Sequence, residues 1–247
     1  MKTNLRINVR KKEKHNLYIK NLKLIIMIVV FANQKGGVGK STLCALFAHY
    51  LSDSGKEVHL IDMDFQKTLE RMRKTDVNKS VHEIRNEEDV YENPLKFTVD
   101  YVSVDNLAEL IEKALNDKDR IYLFDAPGNL GHKNIMLTLY HADFIIVPFQ
   151  YDTVTLDSTA VFIQLLNKFS VKGKIFFIPN KIDQREKIAF AEKTNEIFER
   201  KGRVTPVVNL RVEMKRLSTL IISKLQQELV EPAFSFIFND IFIKNKS

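Results

Sequence analysis

Short apolar runs and longer amphipathic stretches alternate along most of the chain. The apolar runs predict β-strands over 24–32, 57–62, 97–103, 120–125, 143–148, 174–179 and 203–208. The amphipathic stretches predict helices over 41–54, 105–117, 131–141, 155–169, 184–201 and 211–230. This alternation favours βαβ units, and therefore an α/β fold with a central, mostly parallel sheet flanked by helices. Ligands of such sheets bind at the carboxyl ends of the strands.

Two stretches depart from the alternation. Residues 65–96 are charged and irregular, so we expect loops and a short helix over the sheet edge there. The apolar run that ends at Ala32 is too short to span a membrane, and no small-residue cleavage pattern follows it. We therefore predict neither a signal peptide nor a transmembrane helix. Glycine and proline number only 8 and 6, which favours a single domain over 27–247.

The net charge of +7 lies in one place. Residues 1–26 hold eight basic side chains and one acidic side chain, and 8 − 1 gives the whole excess. The remaining residues hold 38 − 8 = 30 basic and 31 − 1 = 30 acidic side chains, so they are neutral. We expect 1–26 to be a basic arm, disordered or outside the core. Alternatives are a DNA- or membrane-binding tail and an artefact of start-site choice, because the fold pattern begins at Met27.

Composition limits the classes of protein. A hydrophobic content of 45% argues against a disordered chain. Cys44 is the one cysteine, which excludes an intramolecular disulfide, a multi-cysteine zinc site and a self-contained iron–sulfur cluster. A reducing, cytoplasmic setting fits this usage best.

The strongest functional signal is a glycine-rich segment, Asn33–Thr42, between the first predicted strand and the first predicted helix. Its glycines let backbone N–H groups curve around phosphate oxygens, and the helix N-terminus adds its dipole. Lys40 supplies positive charge for the β- and γ-phosphates, and the Ser41 hydroxyl can bind Mg²⁺. The residues predicted to bind nucleotide here are Gly36, Gly37, Val38, Gly39, Lys40, Ser41 and Thr42.

One departure from the usual phosphate loop is informative. The letters K-G-G-V-G-K-S-T, beginning at Lys35, resemble the deviant Walker A motif of the ParA/MinD family of P-loop ATPases. In that family the extra lysine reaches across a nucleotide-sandwiched dimer to the partner's phosphates. The resemblance covers roughly residues 27–230. It implies that role for Lys35, a three-layer P-loop NTPase fold, and an ATP-dependent homodimer that hydrolyses ATP with Mg²⁺.

Two further blocks support the resemblance and supply carboxylates. Leu60–Gln66 resembles the family's D-x-D-P-Q block, with Phe65 in place of proline. The resemblance implies that Asp64 positions the attacking water, and that Asp62 supports Mg²⁺ and its water shell. In the second block, Asp125 closes an apolar strand as a Walker B carboxylate that can hold Mg²⁺, directly or through water. Gly128, three residues later, could let the backbone meet the γ-phosphate.

A later block concerns the base. Asn180 lies in I-P-N-K-I-D, and the family has an asparagine at this place that hydrogen-bonds adenine. The letters N-K-x-D also occur in GTPases, where the aspartate binds guanine, so GTP remains an alternative to ATP. Pro206 is a weaker candidate for the lining of the base pocket.

Three functions are compatible with these motifs. The first is a ParA-like ATPase that partitions a plasmid, a chromosome or a conjugative element with a ParB-like partner, in the cytoplasm or on the nucleoid. Its non-specific DNA contacts would come from basic residues late in the chain, although these residues also suit an ordinary solvated face. The candidates are Arg203, Arg211, Lys215, Arg216 and Lys224. Arg211 and Lys215 would share one face of the predicted helix 211–230.

The second function is a MinD-like membrane or cargo positioner, which needs a terminal amphipathic helix. The aromatic tail after Pro232 is basic only at its end, so we expect it to pack on the core and a membrane partner is disfavoured. The third is a ligase of the dethiobiotin-synthetase type, which Lys35 argues against. Composition also disfavours nitrogenase-type, tyrosine-kinase and duplicated arsenite-pump relatives, because paired cysteines, a tyrosine-rich tail and a second phosphate loop are missing from the sequence.

Overall fold

The computed structural model describes residues 27–84, 95–117, 120–183 and 190–243. The predicted basic arm 1–26 lies outside these described residues, as do 85–94, 184–189 and the last four residues of the tail.

Parallel strands form the centre of the described structure. They are β1 (Met27–Phe31), β2 (Val58–Asp62), β3 (Thr98–Tyr101), β4 (Ile121–Asp125), β5 (Phe144–Phe149), β6 (Lys174–Ile182), β7 (Arg203–Val204) and β8 (Val208–Asn209). Their order is β3-β2-β4-β1-β5-β6-β7, and β8 pairs with the end of β6. Every recorded pairing is parallel. The predicted parallel sheet is therefore confirmed.

Helices connect the strands and cover both faces of the sheet. They are α1 (Lys40–Asp53), α2 (Thr68–Ile84), α3 (Leu107–Asn116), α4 (Lys133–Tyr140), α5 (Thr153–Lys168), α6 (Ala191–Glu199) and α7 (Lys224–Phe238). Short 3₁₀ turns occupy Val104–Asn106 and Val212–Lys215, and a π-turn occupies Asn239–Ile243.

Strand β1 shows how the layers form. Val29 and Phe31 face a core covered by α1 and α7, whereas Ile28 and Val30 face a second core covered by α3, α4, α5 and α6. All five β1 residues are buried, because a central parallel strand has helices on both faces. The result is the three-layer arrangement that the sequence predicts. None of the described helices is long and apolar enough to cross a membrane.

The predicted helix 211–230 is confirmed only over residues 224–230 and is wrong over residues 211–223. Residues Val212–Lys215 form a 3₁₀ turn, and α7 begins only at Lys224, where Ser223 and Gln226 form a capping box. The intervening loop is held by Asp76 of α2. Its Oδ2 accepts hydrogen bonds from the Thr219 N–H at 2.7 Å and from the hydroxyl groups of Ser218 and Thr219. This tertiary contact replaces the helical bonds of the segment. Arg211 lies before the turn in extended conformation, so Arg211 and Lys215 do not share a helix face.

Two other predictions need correction. The stretch 65–96 contains a helix of 17 residues, α2, rather than loops and a short helix. It begins where it does because the Asp62 carboxylate accepts the N–H groups of Leu69 and Glu70. The predicted strand 203–208 is divided into the two-residue strands β7 and β8.

The aromatic tail packs on the core, as expected. Phe234 and Ile237 of α7 are buried against α1, where the Phe234 and Phe47 rings lie 5.0 Å apart. Ile241 and Phe242 of the π-turn are buried as well. Most of the apolar side chains that a membrane anchor would present are therefore packed inside the protein up to Phe242, whereas Ile243 is exposed.

Candidate nucleotide-binding site

The glycine-rich loop lies at the centre of the carboxyl edge of the sheet. It joins β1 to α1, and β1 lies between β4 and β5. After β1 the chain forms β2 and β3 on one side of the sheet, and after β4 it crosses to form β5 and β6 on the other side. The loop therefore lies at the switch point, which is where open α/β sheets bind ligands. The N-terminus of α1 faces the loop and favours an anion there.

Two glycines give the loop its curvature. Gly37 has a φ of 78° and Gly39 a φ of 96°, values that other residues rarely adopt. A Cβ on Gly39 would also lie 2.3 Å from the Asn180 amide nitrogen. Both glycines are therefore needed for a loop whose N–H groups turn toward one point.

Side chains from a distant strand support the same loop. The Asn180 amide donates to the Val38 carbonyl at 2.7 Å, and the Lys181 ammonium donates to the Gly37 carbonyl. Asn180 is buried at the end of β6. Its second amide hydrogen and its carbonyl oxygen are the groups that could meet a base. Pro206 is exposed two residues before Val208, the residue that pairs with Asn180.

Asn33 also supports the loop, and sequence reasoning assigned it no role. Its buried amide donates to the Pro148 carbonyl and to the Thr159 hydroxyl, both at 2.9 Å. Its Oδ1 accepts the Lys35 N–H at 3.1 Å. Asn33 thus ties the start of the loop to β5 and α5. Its position directly after a buried strand was the only signal available in the sequence.

Lys40 is buried within the site. Its ammonium donates to the Lys35 carbonyl at 3.3 Å, so the lysine folds back over the loop. Burial lowers the pKa of Lys40, and the nearby Asp125 and Asp64 carboxylates partly restore it. A largely desolvated cation beside curved N–H groups is suited to bind phosphate oxygens.

Asp125 is the most strongly perturbed carboxyl group of the site. It ends β4 beside Asp62 of β2, because the parallel register pairs these two residues directly. Burial raises the pKa of Asp125 to about 7, although a hydrogen bond with Ser41 lowers it in part. Its Oδ1 is buried and has no hydrogen-bond partner. A buried carboxylate with an unused oxygen is suited to hold a cation or its bound water.

The donors near the loop fit Mg²⁺. Ser41 and Asp125 lie close together and would hold the ion together with phosphate oxygens and water. No group of three or more His, Cys, Asp and Glu side chains in the described ranges could hold a metal without such help. Bound Mg²⁺ would neutralise charge that develops on the transferring phosphoryl group.

The Asp62 and Asp64 carboxylates also shape the backbone. Asp62 Oδ1 accepts the Asp64 N–H at 3.0 Å, and its Oδ2 accepts the Leu69 N–H at 2.9 Å. Burial raises the pKa of Asp62, and these hydrogen bonds oppose the rise. Asp62 therefore caps α2 and fixes the turn that carries Asp64. The role of either residue toward water or Mg²⁺ remains a prediction.

Lys35 lies in the glycine-rich loop, and Gly128 lies against it. A Cβ on Gly128 would be 3.7 Å from the Gln34 carbonyl oxygen, so the segment after β4 touches the loop. The half-buried Lys35 ammonium forms no hydrogen bond or ion pair within the described part of the chain. Burial raises the pKa of Asp152, but hydrogen bonds from Thr155 and the charge of Lys35 lower it below its usual range overall.

Comparison with known proteins agrees with this geometry. Residues 29–220 match the model of the CobQ/CobB/MinD/ParA nucleotide-binding domain family. The chain belongs to this family. A protein of Methanocaldococcus jannaschii described as an uncharacterized ATP-binding protein is 30% identical over 129 residues, which is 44% of this chain and 48% of that protein. The chain thus spans about half the length of this curated relative.

Solved structures share the fold of this ParA/MinD-family chain. A Borrelia burgdorferi plasmid partition protein with bound AMPPNP is 21% identical, covers 87% of this chain and 99% of its own, and has a TM-score of 0.65. Aquifex aeolicus MinD is 17% identical, and the match covers 86% of this chain and 97% of MinD with a TM-score of 0.64. A single-residue variant of Cyanothece McdA, solved with ATP, is 20% identical. The match covers 90% of this chain and 98% of McdA with a TM-score of 0.66.

The structure does not gather the DNA-binding candidates of this ParA/MinD-family chain on one helix. Arg203 is paired with Asp240 at 3.3 Å and lies over the Phe236 ring, so it holds the tail helix. Lys224 approaches Glu228 at 3.9 Å on α7. Arg211, Lys215 and Arg216 are exposed around the 3₁₀ turn, and DNA binding by any of the five candidates remains a prediction.

Replacing Asp125 with asparagine is expected to stabilise the ligand-free protein. The folded-state pKa of about 7 exceeds the unfolded value of about 4, so the fold loses stability as the pH rises through that window. Asparagine cannot ionise. The melting temperature of the variant relative to wild type should therefore rise between about pH 5 and about pH 8. Calorimetry at both pH values checks this. We also expect Mg·ATP to stabilise the variant less than it stabilises wild type. A variant that melts below wild type at the higher pH would contradict the account.

Proposed function

We propose that this chain hydrolyses Mg·ATP in a nucleotide-sandwich homodimer and uses the cycle to position DNA. The observation that carries the proposal is the pair of lysines on one phosphate loop. Lys40 is buried and folded onto the loop, whereas the Lys35 ammonium has no hydrogen bond or ion pair within the described residues. The Lys35 charge acts on Asp152 of its own chain without an ion pair to it, so this second cation is available for a second copy's phosphates.

The roles follow from position. Lys40, the loop N–H groups and Mg²⁺ on Ser41 and Asp125 bind the phosphates in cis. Lys35 would supply positive charge in trans as the γ-phosphoryl group is transferred, in the manner of an arginine finger. Asp64, held beside the site by Asp62, would position the attacking water. Asn180 and Pro206 would face the base, and adenine is favoured because the loop is of the deviant type.

Positioning of DNA is the finer part of the proposal. The Borrelia protein of the same fold is described as a plasmid partition protein, and the Aquifex MinD of that fold as a cell division protein. The described part of the tail is packed on the core, which favours DNA over a membrane as the surface that this chain uses. A ParB-like activating protein is the partner that we propose for stimulated hydrolysis.

DNA binding has a direct test. We expect a random duplex to shift in a gel with Mg·ATP and not without nucleotide, and the affinity to fall steeply with salt. Since residues 27–247 are neutral overall, any DNA contacts made by this part of the chain must come from a local basic patch. Lys215→Ala with Arg216→Ala should weaken binding and lower the salt slope by about 1 per lost phosphate contact.

Controls separate this surface from general charge. Lys168→Ala with Lys172→Ala removes two exposed lysines near the amino end of β6 and should leave the shift unchanged. A chain that starts at Met27 measures the contribution of the basic arm. A wild-type protein that shows no shift with Mg·ATP at low salt would remove DNA from the proposal. Turnover that depends instead on a small carboxylic acid would favour a ligase.

A further inference from the structure

Phe65 is an aromatic side chain placed in water beside the candidate site. It is the most exposed large hydrophobic residue of the described chain, at 76% accessibility. It directly follows Asp64 and stands where the resembling family carries a proline. An isolated exposed apolar residue needs no explanation, but this one is large and lies next to a reacting centre.

The turn that carries Phe65 is well bonded. Asp64 Oδ1 accepts the Gln66 N–H at 3.0 Å, and the Asp64 carbonyl accepts the Lys67 N–H at 2.8 Å. Lys67 has a φ of 53°, and its ammonium lies 4.2 Å from the centre of the Tyr101 ring. The neighbours on both sides are thus fixed to the protein, while the Phe65 ring is left pointing into solvent.

The nucleotide base is too far away to cover Phe65. Phe65 follows β2, whereas the Asn180 position expected to meet the base ends β6. The sheet order places β4, β1 and β5 between these two strands. Four strand spacings of about 4.8 Å separate them by roughly 19 Å. A base at Asn180 therefore cannot reach the Phe65 ring.

Other apolar side chains are exposed on the same edge of the sheet. We call Phe65, Val154, Val207 and Leu210 the edge cluster; the last three are 59%, 40% and 45% exposed. Val154 follows β5, and Val207 and Leu210 flank β8. Since all strands are parallel, these residues lie at the carboxyl edge, on both sides of the phosphate loop. The four residues are spread along this edge and do not form one contiguous apolar patch.

We propose that Phe65 is an apolar contact between two copies of this chain, made when nucleotide brings their phosphate loops together. This inference rests on the proposed homodimer and names a residue that holds it. The edge that carries Lys35 also carries Phe65, so a copy that receives Lys35 must approach the edge cluster. Residues 27–247 hold 30 basic and 30 acidic residues, so the net charge of this part of the chain adds no repulsion between two copies.

Symmetry makes the contact easy to detect. In a two-fold dimer each substitution is present twice, so a loss of about tenfold per contact becomes about a hundredfold in the dimer dissociation constant. The full chain with Mg²⁺ and AMPPNP is followed by sedimentation across a concentration series, because this nucleotide separates dimer formation from turnover. We expect Phe65→Ser to raise the dimer dissociation constant about a hundredfold, and Phe65→Leu to retain most of the wild-type dimer stability.

The control variant removes an equally large ring elsewhere. Phe169→Ser alters a residue that is 45% exposed after α5, at the opposite edge of the sheet, and should leave the dimer unchanged. AMPPNP affinity at protein concentrations below dimer formation should be the same for both serine variants, which shows that the site is intact.

The outcomes separate this inference from the proposed function. A wild-type chain that stays monomeric with Mg·AMPPNP overturns both the homodimer and the Phe65 contact. A wild-type dimer that Phe65→Ser leaves equally stable overturns the Phe65 contact alone, and would assign the exposed ring to a different partner. Equal weakening by Phe169→Ser would also overturn it, since the effect would then not be specific to this edge.

Discussion

Replacing Lys40 with alanine is expected to weaken ATP binding strongly. Lys40 is the buried cation of the phosphate loop, folded against the Lys35 carbonyl and close to Asp125 and Asp64. Phosphate oxygens would lose their principal point charge in a site where water cannot replace it. Loss of one partner from a buried charged contact weakens binding by about 2 kcal/mol or more, which is roughly 30-fold to several hundredfold.

Calorimetric titration with Mg·ATP measures this loss. Lys168→Ala is the matched control, because it removes an exposed lysine at the far end of α5 and should bind normally. Lys40→Arg keeps the charge but not the compact ammonium, so it should recover only part of the affinity. Thermal unfolding of each variant without ligand shows whether the fold is retained. An unchanged ATP affinity in a folded Lys40→Ala protein would refute the site assignment.

Replacing Lys35 with alanine should leave ATP affinity nearly unchanged and strongly reduce ATP hydrolysis. The Lys35 ammonium is not held by hydrogen bonds or ion pairs within the described residues, so its loss should alter ATP affinity by less than about threefold. If it acts in trans on developing phosphoryl charge, hydrolysis should fall by roughly 10²- to 10³-fold. The nucleotide-dependent dimer should weaken at the same time.

Two measurements on the same preparation test this division. Titration gives the ATP affinity, and phosphate release over a concentration series gives the turnover of monomer and dimer. Lys113→Ala on α3 is a suitable control, since this lysine is exposed on the helix layer away from the loop. A Lys35→Ala protein that dimerises and turns over like wild type would contradict the account.

Local sequence was sufficient for the fold and for the phosphate loop. The β1 strand is buried on both faces and reads as an unbroken apolar run, and the loop residues are adjacent in the chain. The sequence also placed Asp62 and Asp125 at strand ends. Their direct pairing follows from the parallel register of β2 and β4, which depends on the order of the strands and is not written in either segment.

The error over residues 211–223 has a long-range cause, which is contact between distant parts of the chain. The predicted helix 211–230 is broken because Asp76 binds Ser218 and Thr219 across more than 140 residues. The hydrogen bond from Asn180 to the Val38 carbonyl spans a similar separation, and nothing in either segment predicted it. Periodicity reports which side chains can share a face, but it does not report which distant polar group will compete for a backbone N–H.

The central claim is that Lys35 acts on the phosphates of a second copy, and mixing two inactive variants tests it most directly. Asp64→Ala removes the proposed water-positioning carboxylate in cis, and Lys35→Ala removes the proposed cation in trans. In a mixed dimer, the site on the Lys35→Ala chain keeps its own Asp64 and receives Lys35 from the other chain. The second site of that dimer lacks both groups.

Random pairing makes half of the dimers mixed, with one complete site of two, so an equal mixture should recover about a quarter of wild-type ATP hydrolysis. Each variant alone should stay nearly inactive, and a tag on one variant should retain the other in the presence of Mg·AMPPNP. If Lys35 acts on its own chain's phosphates instead, no mixed dimer holds a complete site. Mixed dimers that form and yet restore no hydrolysis would contradict the account.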